Sequence, residues 1–479
     1  MTPFARKTVG ELQGDRSEKT RLSRDIGLFA LVCFGVGSTV GAGIFILTGT
    51  VAAQHAGPAV TLAFVIASLV CLLAGLCYAE LSAMMPVAGS AYSYCYASMG
   101  EAAAWIVGWC LMLEYLFAGA LVAIGWSAYL QSVLHDFGLG LPTIFTQAPW
   151  KLGADRTLVA TGALVDLPAF LLTLVCTLLL LRGTSFSARI NNVIVVAKIA
   201  AMLVVVAAGF AFVDTANWVP YIPANDGRFG HFGLSGVVQG AAVLFFAYVG
   251  FDAVSTLAQE VRDPQRTVPR ALIASVALTT VLYVLVGLVV TGLVHYKMLN
   301  VADPVYVALR GAGPGLAWAK GMIGFVAIAG LVSVLLVTLL GQVRIFYAMG
   351  RDGLLPAAFA RTRESSHIPL TGTIVTGVIS AIAAGILPLS LLGELISMGT
   401  LFAFGMVALS VIILRRREPD APRPFKVPLS PWLPMLSIAA SGYLMWSLPL
   451  DTWVRLGVWL VLGVLFYIGL AVSKKPRPA

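Results

Sequence analysis

Charge is what this chain lacks most. Only 11% of its 479 residues are Asp, Glu, Lys or Arg, and 59% are hydrophobic. Soluble domains carry roughly 25% charged residues, so the composition excludes an ordinary soluble globule. Mean hydropathy is +0.91, and no charged residue occurs between Ile26 and Glu80. The chain is therefore read as an integral membrane protein. Alternating segments of roughly ten residues are too few for a β-barrel, which leaves helices of roughly 20 apolar residues each.

Other absences narrow the function. No G-x-x-x-x-G-K-[ST] pattern occurs, so ATP does not drive the protein directly. Cys33, Cys71, Cys77, Cys95, Cys110 and Cys176 lie in or beside apolar stretches without CxxC spacing, and read as small apolar residues rather than disulfides or ligands. The five histidines lie mostly in loops and have no metal spacing, so no metal and no cofactor is expected. Residues 1–25 are polar and mixed in charge, unlike a signal peptide. The net charge of +9 sits at span ends rather than on one face, which argues against a nucleic-acid partner.

What is present is a series of apolar spans. Pattern places twelve of them at about 26–54, 59–84, 101–133, 164–182, 189–213, 234–261, 270–294, 320–348, 369–387, 391–414, 432–448 and 453–472. They follow a basic arm at 1–25 and precede a basic tail at 473–479. The stretch from Pro86 to Tyr92 reads as a turn-rich link, and Glu260 to Pro269 as a charged connector. An even count puts both termini on one side. Apart from Lys198 inside span 5, only Lys151, Arg156, Arg228, Lys297, Arg310, Lys320 and Arg455 fall on the side opposite the termini. The positive-inside rule then predicts cytoplasmic termini, and the membrane expected is the cytoplasmic (inner) cell membrane.

Span 1 holds Gly35, Gly37, Gly41, Gly43 and Gly49, each costing a helix interior roughly 1 kcal/mol relative to Ala. Unwound backbone at membrane depth survives only when buried in protein or lining a wet cavity. The N–H groups freed there suit an anionic ligand group, although close helix packing through small residues explains the same pattern. Span 6 has a matching interruption near Tyr248-Val249-Gly250-Phe251-Asp252. Paired interruptions five spans apart point to an inverted repeat with a site near the midplane.

Ionisable groups within spans are functional candidates because they are costly there. Glu114 reads either as a structural helix–helix contact or as a proton carrier or cation partner. Lys198 either snorkels to the surface or meets carbonyls at the span 1 break, where its ammonium takes the place of a coupling cation. Asp252 follows the span 6 break as an N-cap, a protonatable carboxylate, or both. Glu80 and Arg344 read as groups of the cytoplasmic interface and gate, and Glu394 as a cap or an external residue. Phe246, beside the break, is a candidate lid.

Four ordered motifs carry a resemblance. Gly35-Val-Gly-Ser-Thr-Val-Gly-Ala-Gly-Ile-Phe, Pro86-Val-Ala-Gly-Ser-Ala-Tyr-Ser-Tyr, Phe245-Phe-Ala-Tyr-Val-Gly-Phe-Asp-Ala-Val-Ser and Arg351-Asp-Gly-Leu-Leu-Pro resemble the amino acid–polyamine–organocation superfamily. Within it they are most similar to the cationic amino acid transporter branch and its bacterial relatives. The resemblance implies an all-α, twelve-helix membrane protein with a leucine-transporter-like 5+5 inverted repeat: residues 26–213, then 234–414, then two extra helices at 432–472. It further implies that a substrate carboxylate meets the backbone N–H groups of Gly41, Ala42 and Gly43. The substrate amino group then meets carbonyls near Val40 and at Phe246, Ala247 and Val249. By the same resemblance Phe246 gates from outside, Lys198 stands in for a sodium ion, and Glu114 and Asp252 take part in proton coupling. Thr338 matches a pocket-wall position. Ala42 departs from the hydroxyl residue common in the unwound motif. Residues 134–163 contain no Cys, so no disulfide-linked glycoprotein partner is expected.

The function expected is secondary active transport of an amino acid by alternating access, coupled to protons as a symport. An exchanger is the alternative within transport. A membrane-embedded enzyme with Glu114 and Asp252 as an acid–base pair is the alternative of another class, and no nucleophile or metal constellation accompanies that pair.

Overall fold

The computed structural model describes residues 26–473 except 88, 154–155, 183–187, 258–260 and 363–367. The basic arm, the basic tail and part of the 260–269 connector lie outside the described residues. The protein is an all-α polytopic membrane protein. Eight described helical stretches are long and apolar enough to cross a membrane, and two shorter apolar helices accompany them.

In chain order, α1 is Leu28–Thr39, α2 Val60–Met84, α3 Ser90–Met99 and α4 Glu101–Asp136. A hairpin of β1 (Trp150–Leu152) and β2 (Leu158–Ala160) follows. Next come α5 Leu167–Leu181, α6 Ala188–Phe210, α7 Gly233–Leu244, α8 Pro264–Leu293 and α9 Pro304–Gly311. The chain closes with α10 Ala317–Arg351, α11 Leu370–Ile386, α12 Leu389–Arg417, α13 Trp432–Ser447 and α14 Leu450–Ser473.

The 57-residue apolar stretch Leu28–Met84 contains both α1 and α2. Gly57 divides it with a φ of +60°, a left-handed conformation that glycine reaches without a Cβ clash. Two corrections to the sequence reading concern local structure. The link expected over 86–92 is shorter, because Ser90–Met99 forms a helix. Its many Ser and Tyr residues are weak helix formers in isolation, but the helix is buried against α4 and α12. Helix α8 begins at Pro264, six residues earlier than expected, with Pro264 at its first turn and Pro269 within it. A proline at the first helical position forfeits no hydrogen bond.

Helix α4 is the hub of the bundle, packing against α10, α12, α11, α5 and α3. Helices α1, α6, α8 and α10 gather on one side of it: α1 packs on α8 and α6, and α6 on α10. All six cysteines are free and buried.

Ion pairs tie down both ends of the bundle. Where α2 and α12 end, the buried Glu80 carboxylate accepts from Arg415 at 2.5 and 2.9 Å and from the Val427 amide at 2.7 Å. At the opposite end, Arg156 on the hairpin donates to Glu394 at 2.6 Å and to both oxygens of Asp451 at 2.9 Å. Thr452 also donates to Glu394, so Glu394 belongs to an ion cluster joining the hairpin to α12 and α14.

Candidate functional site

The two expected interruptions lie side by side. Helix α1 stops at Thr39, and Val40 takes a non-helical ψ of 89°. Helical winding resumes at Ala42 and continues as a π-type segment over Gly43–Leu47. In the other strand of the site α7 ends at Leu244 and a 3₁₀ turn covers Phe245–Tyr248. Val249 then swings to a ψ of 138°, and Gly250 has a φ of +108°. One further helical turn follows at Ala253–Thr256.

Contact between the breaks demands small residues. A Cβ on Gly43 would fall 2.2 Å from the Ala247 Cβ, and one on Gly250 would fall 2.9 Å from the Ser38 carbonyl oxygen. The Ser38 hydroxyl lies 2.9 Å from the Gly250 carbonyl oxygen. The Tyr283 hydroxyl, from α8, is 2.8 Å from the carbonyl oxygens of both Thr39 and Ala247. These contacts account for backbone groups that lipid cannot satisfy.

Lys198 is 1% exposed. Its ammonium donates to the carbonyls of Gly37 and Val40, each at 3.0 Å. Those carbonyls belong to the last turn of α1 and the break, where a helix leaves acceptors without intrahelical donors and carries partial negative charge. Gly330 of α10 makes room for the lysine stem, since a Cβ there would fall 2.5 Å from its Cδ. Of the two sequence readings for Lys198, the internal partner is the one found.

Asp252, also 1% exposed, accepts from the Gly250 amide at 3.2 Å and from the Tyr115 hydroxyl at 3.1 Å. Glu114 is fully buried in α4, and neither carboxyl oxygen has a hydrogen-bond partner among the described residues. It lies within electrostatic reach of Asp252.

Two cavities adjoin the breaks. The central one is bordered by Ser38, Thr39, Ala42 and Gly43 from the first break, and by Phe246, Val249 and Gly250 from the second. Helix α4 contributes Tyr115, Ala118 and Val122, and α10 contributes Val334, Val337 and Thr338. Among the described residues no Asp, Glu, Lys or Arg side chain borders it. The second cavity lies toward the Glu80 end of the bundle and is bordered by Phe34, Ser90, Asp252, Gly341 and Arg344, among others. Tyr115, Ala253 and Val337 border both. The Tyr115 ring lies against Gly341, where a Cβ would fall 2.7 Å from its Cε1.

Of the residues singled out from sequence, Ala42, Gly43, Phe246, Val249 and Thr338 border the central cavity. Val40, Gly41 and Ala247 lie in the breaks without bordering it, and the carbonyls of Val40 and Ala247 already accept from Lys198 and Tyr283. Asp252 faces the second cavity, and Glu114 borders neither. Tyr115, Tyr283 and Ser38 were missed. Glu114 drew attention to one position of α4 while its neighbour Tyr115 carries the contact with Asp252. The stripe Tyr115, Ala118, Val122 at helical spacing was the available signal.

Among the described residues no cluster of three or more His, Cys, Asp or Glu gathers. Comparison with known proteins points to transport rather than enzymatic chemistry. The family described as amino acid permease matches residues 26–468. The chain is 42% identical over 467 residues to a methylthioribose transporter of Bacillus subtilis (strain 168), covering 98% of this chain and 97% of that protein. It is 40% identical over 465 residues to the branched-chain amino acid permease BcaP of the same organism, covering 97% and 96%. It is 38% identical over 410 residues to the vacuolar cationic amino acid transporter 4 of Arabidopsis thaliana, covering 86% of this chain and 65% of that protein.

Proposed function

Because the chain belongs to the amino acid permease family, we propose that it carries an amino acid across the cytoplasmic membrane by alternating access, in symport with protons. The observation that carries this reading is the pair of abutting breaks with the Lys198 ammonium on the carbonyls of Gly37 and Val40. A fixed cation there holds the first break as a bound metal cation would, so a proton rather than a metal ion becomes the coupling species. Backbone N–H groups of Gly41, Ala42 and Gly43 take the substrate carboxylate, and the carbonyl of Val249 takes the amino group, that of Phe246 already accepting from the Val249 amide. Phe246 closes the site from outside. Glu114 and Asp252 carry the coupling proton.

The same reading has twelve spans with both termini cytoplasmic. Residues 26–213 and 234–414 form inverted repeats, and 432–472 add two helices. Branched-chain and cationic amino acids both appear in the names of relatives. The aliphatic wall of Ala118, Val122, Val334 and Val337 supports a neutral side chain, because a cationic one buried there has no carboxylate to meet it. The methylthioribose relative makes a neutral thioether ligand the second reading, supported by the same apolar wall.

Reconstitution into proteoliposomes tests the proposal. Under an imposed inward proton gradient the protein accumulates a labelled neutral amino acid, and Lys198→Ala reduces that uptake to the level of empty vesicles. Uptake at the unaltered rate in Lys198→Ala refutes the lysine's role. Accumulation that ignores the gradient and requires substrate inside replaces symport with exchange.

A further inference from the structure

We propose that the second cavity is a cytoplasm-side subsite for the α-amino-acid zwitterion, in which Arg344 takes the carboxylate and Asp252 the ammonium group. The inference rests on the transport reading above.

The two cavities differ in how they can meet a zwitterion. The central cavity has no charged side chain on its wall, and its polar side chains are already engaged. Thr39 donates to the Gly35 carbonyl, Thr338 to the Val334 carbonyl, and Tyr115 to Asp252. Recognition of a charged head group there falls to the backbone. The second cavity is bordered by a guanidinium and a carboxylate from different segments, Arg344 of α10 and Asp252 after the second break, and by Ser90, whose hydroxyl pairs with that of Ser255. A zwitterion leaving water needs both charges met at once, and a planar guanidinium is suited to a carboxylate through two parallel hydrogen bonds. Arg344 has other contacts, and a guanidinium carries five donors in a fixed fork. Asp252 is already held by the Tyr115 hydroxyl and by backbone amides of its own turn, so the substrate ammonium meets a carboxylate fixed in position.

The cavities are also consecutive. On α10 the central cavity uses Val334, Val337 and Thr338, and the second uses Val337, Gly341 and Arg344. These positions form one stripe at helical spacing. On α4 the stripe runs from Val122 through Ala118 to Tyr115 and Leu111. Tyr115, seated against Gly341 and bonded to Asp252, is the septum between the cavities. A substrate passing it meets Asp252 in place of the tyrosine hydroxyl, with Arg344 beyond, about one helical turn along α10 from Gly341.

The test is side-specific kinetics in proteoliposomes of uniform orientation, with labelled L-leucine as probe and L-leucine methyl ester as the competitor without a carboxylate. Arg344→Gln raises the half-saturating L-leucine concentration at the cytoplasmic face about tenfold or more, the scale of a lost charge-assisted pair. The external value stays unchanged. Preference for L-leucine over its methyl ester falls by the same factor at the cytoplasmic face only, and Arg344→Lys falls between. Should Arg344→Gln fail to fold, that preference measured in Arg344→Lys decides. Equal shifts at both faces, or a change in maximal rate with the leucine-to-ester preference intact, overturn the subsite and leave Arg344 a structural part of the gate. Absence of uptake of any amino acid by the unaltered protein refutes the transport reading and the subsite with it.

Discussion

At the first break, carbonyl oxygens of Gly37 and Val40 face the Lys198 ammonium; at the second, the amide of Gly250 faces the Asp252 carboxylate. The polarity follows from which backbone groups each break frees. The end of α1 leaves acceptors, and the turn before Ala253–Thr256 leaves donors. The sources of the counter-charge differ more. Lys198 reaches the first break from α6, more than 150 residues away, whereas Asp252 is two residues from the amide it accepts from. The first break is therefore pinned to a neighbouring helix. The second carries its own charge, which also borders a cavity and holds Tyr115.

The strongest way to break this comparison after removal of Lys198 is to pry the two segments apart. Gly43→Ala places a Cβ 2.2 Å from the Ala247 Cβ and 2.3 Å from its Cα. Backbone cannot yield as a side chain does, so the breaks must separate, at the upper end of the roughly 1–3 kcal/mol typical of overpacking. The expected result is a clear loss of melting temperature in detergent and no uptake. Gly41→Ala is the control for melting temperature, because the nearest atoms to its Cβ belong to the Val334 side chain, at 3.0 Å, rather than to the second break. Equal effects of the two substitutions would show that contact between the breaks is unimportant.

Asp252→Asn sharpens the comparison at the second break. The amide oxygen still accepts from Gly250, so the backbone turn survives, but the side chain no longer takes up or releases a proton. Expected is a protein of near-normal melting temperature that still exchanges internal for external substrate, with a raised half-saturating concentration at the cytoplasmic face, and no longer accelerates under a proton gradient. If instead the gradient still drives accumulation, the coupling proton sits elsewhere, with Glu114 the first place to look.

Much of this geometry was legible in the chain. Glycines at 41, 43 and 250 marked both breaks, although close helix packing collects glycines as well; their pairing across two spans five apart was the stronger signal. Lys198 stood out because an ammonium inside an apolar span needs a partner. Tyr115, Tyr283 and Ser38 did not stand out: a hydroxyl in an apolar helix has many ordinary explanations, and the partners are 137, 244 and 212 residues away in the chain. Helix α3 was hidden for a different reason. Gly89-Ser90-Ala91 reads as a turn, and only burial against α4 and α12 makes Ser90–Met99 helical. The hairpin that brings Arg156 to Glu394 is likewise set by its distant ionic partners rather than by local pattern.

The mildest intervention concerns the hydroxyl that touches both breaks at once. Ser38 Oγ lies 2.9 Å from the Phe34 carbonyl oxygen, 3.0 Å from that of Gly35 and 2.9 Å from that of Gly250. One hydroxyl hydrogen is shared among three acceptors, and two of those belong to its own helix. Ser38→Ala removes about one hydrogen bond, a net contribution of roughly 1 kcal/mol, and adds no bulk. The expected result is a melting temperature a few degrees lower with proton-driven uptake intact. Because Ser38 also borders the central cavity, substrate affinity is the second readout. A change there without a change in melting temperature would mean that the hydroxyl serves the ligand more than it joins the breaks, and the link between them would then rest on Tyr283 and on the Gly43–Ala247 contact.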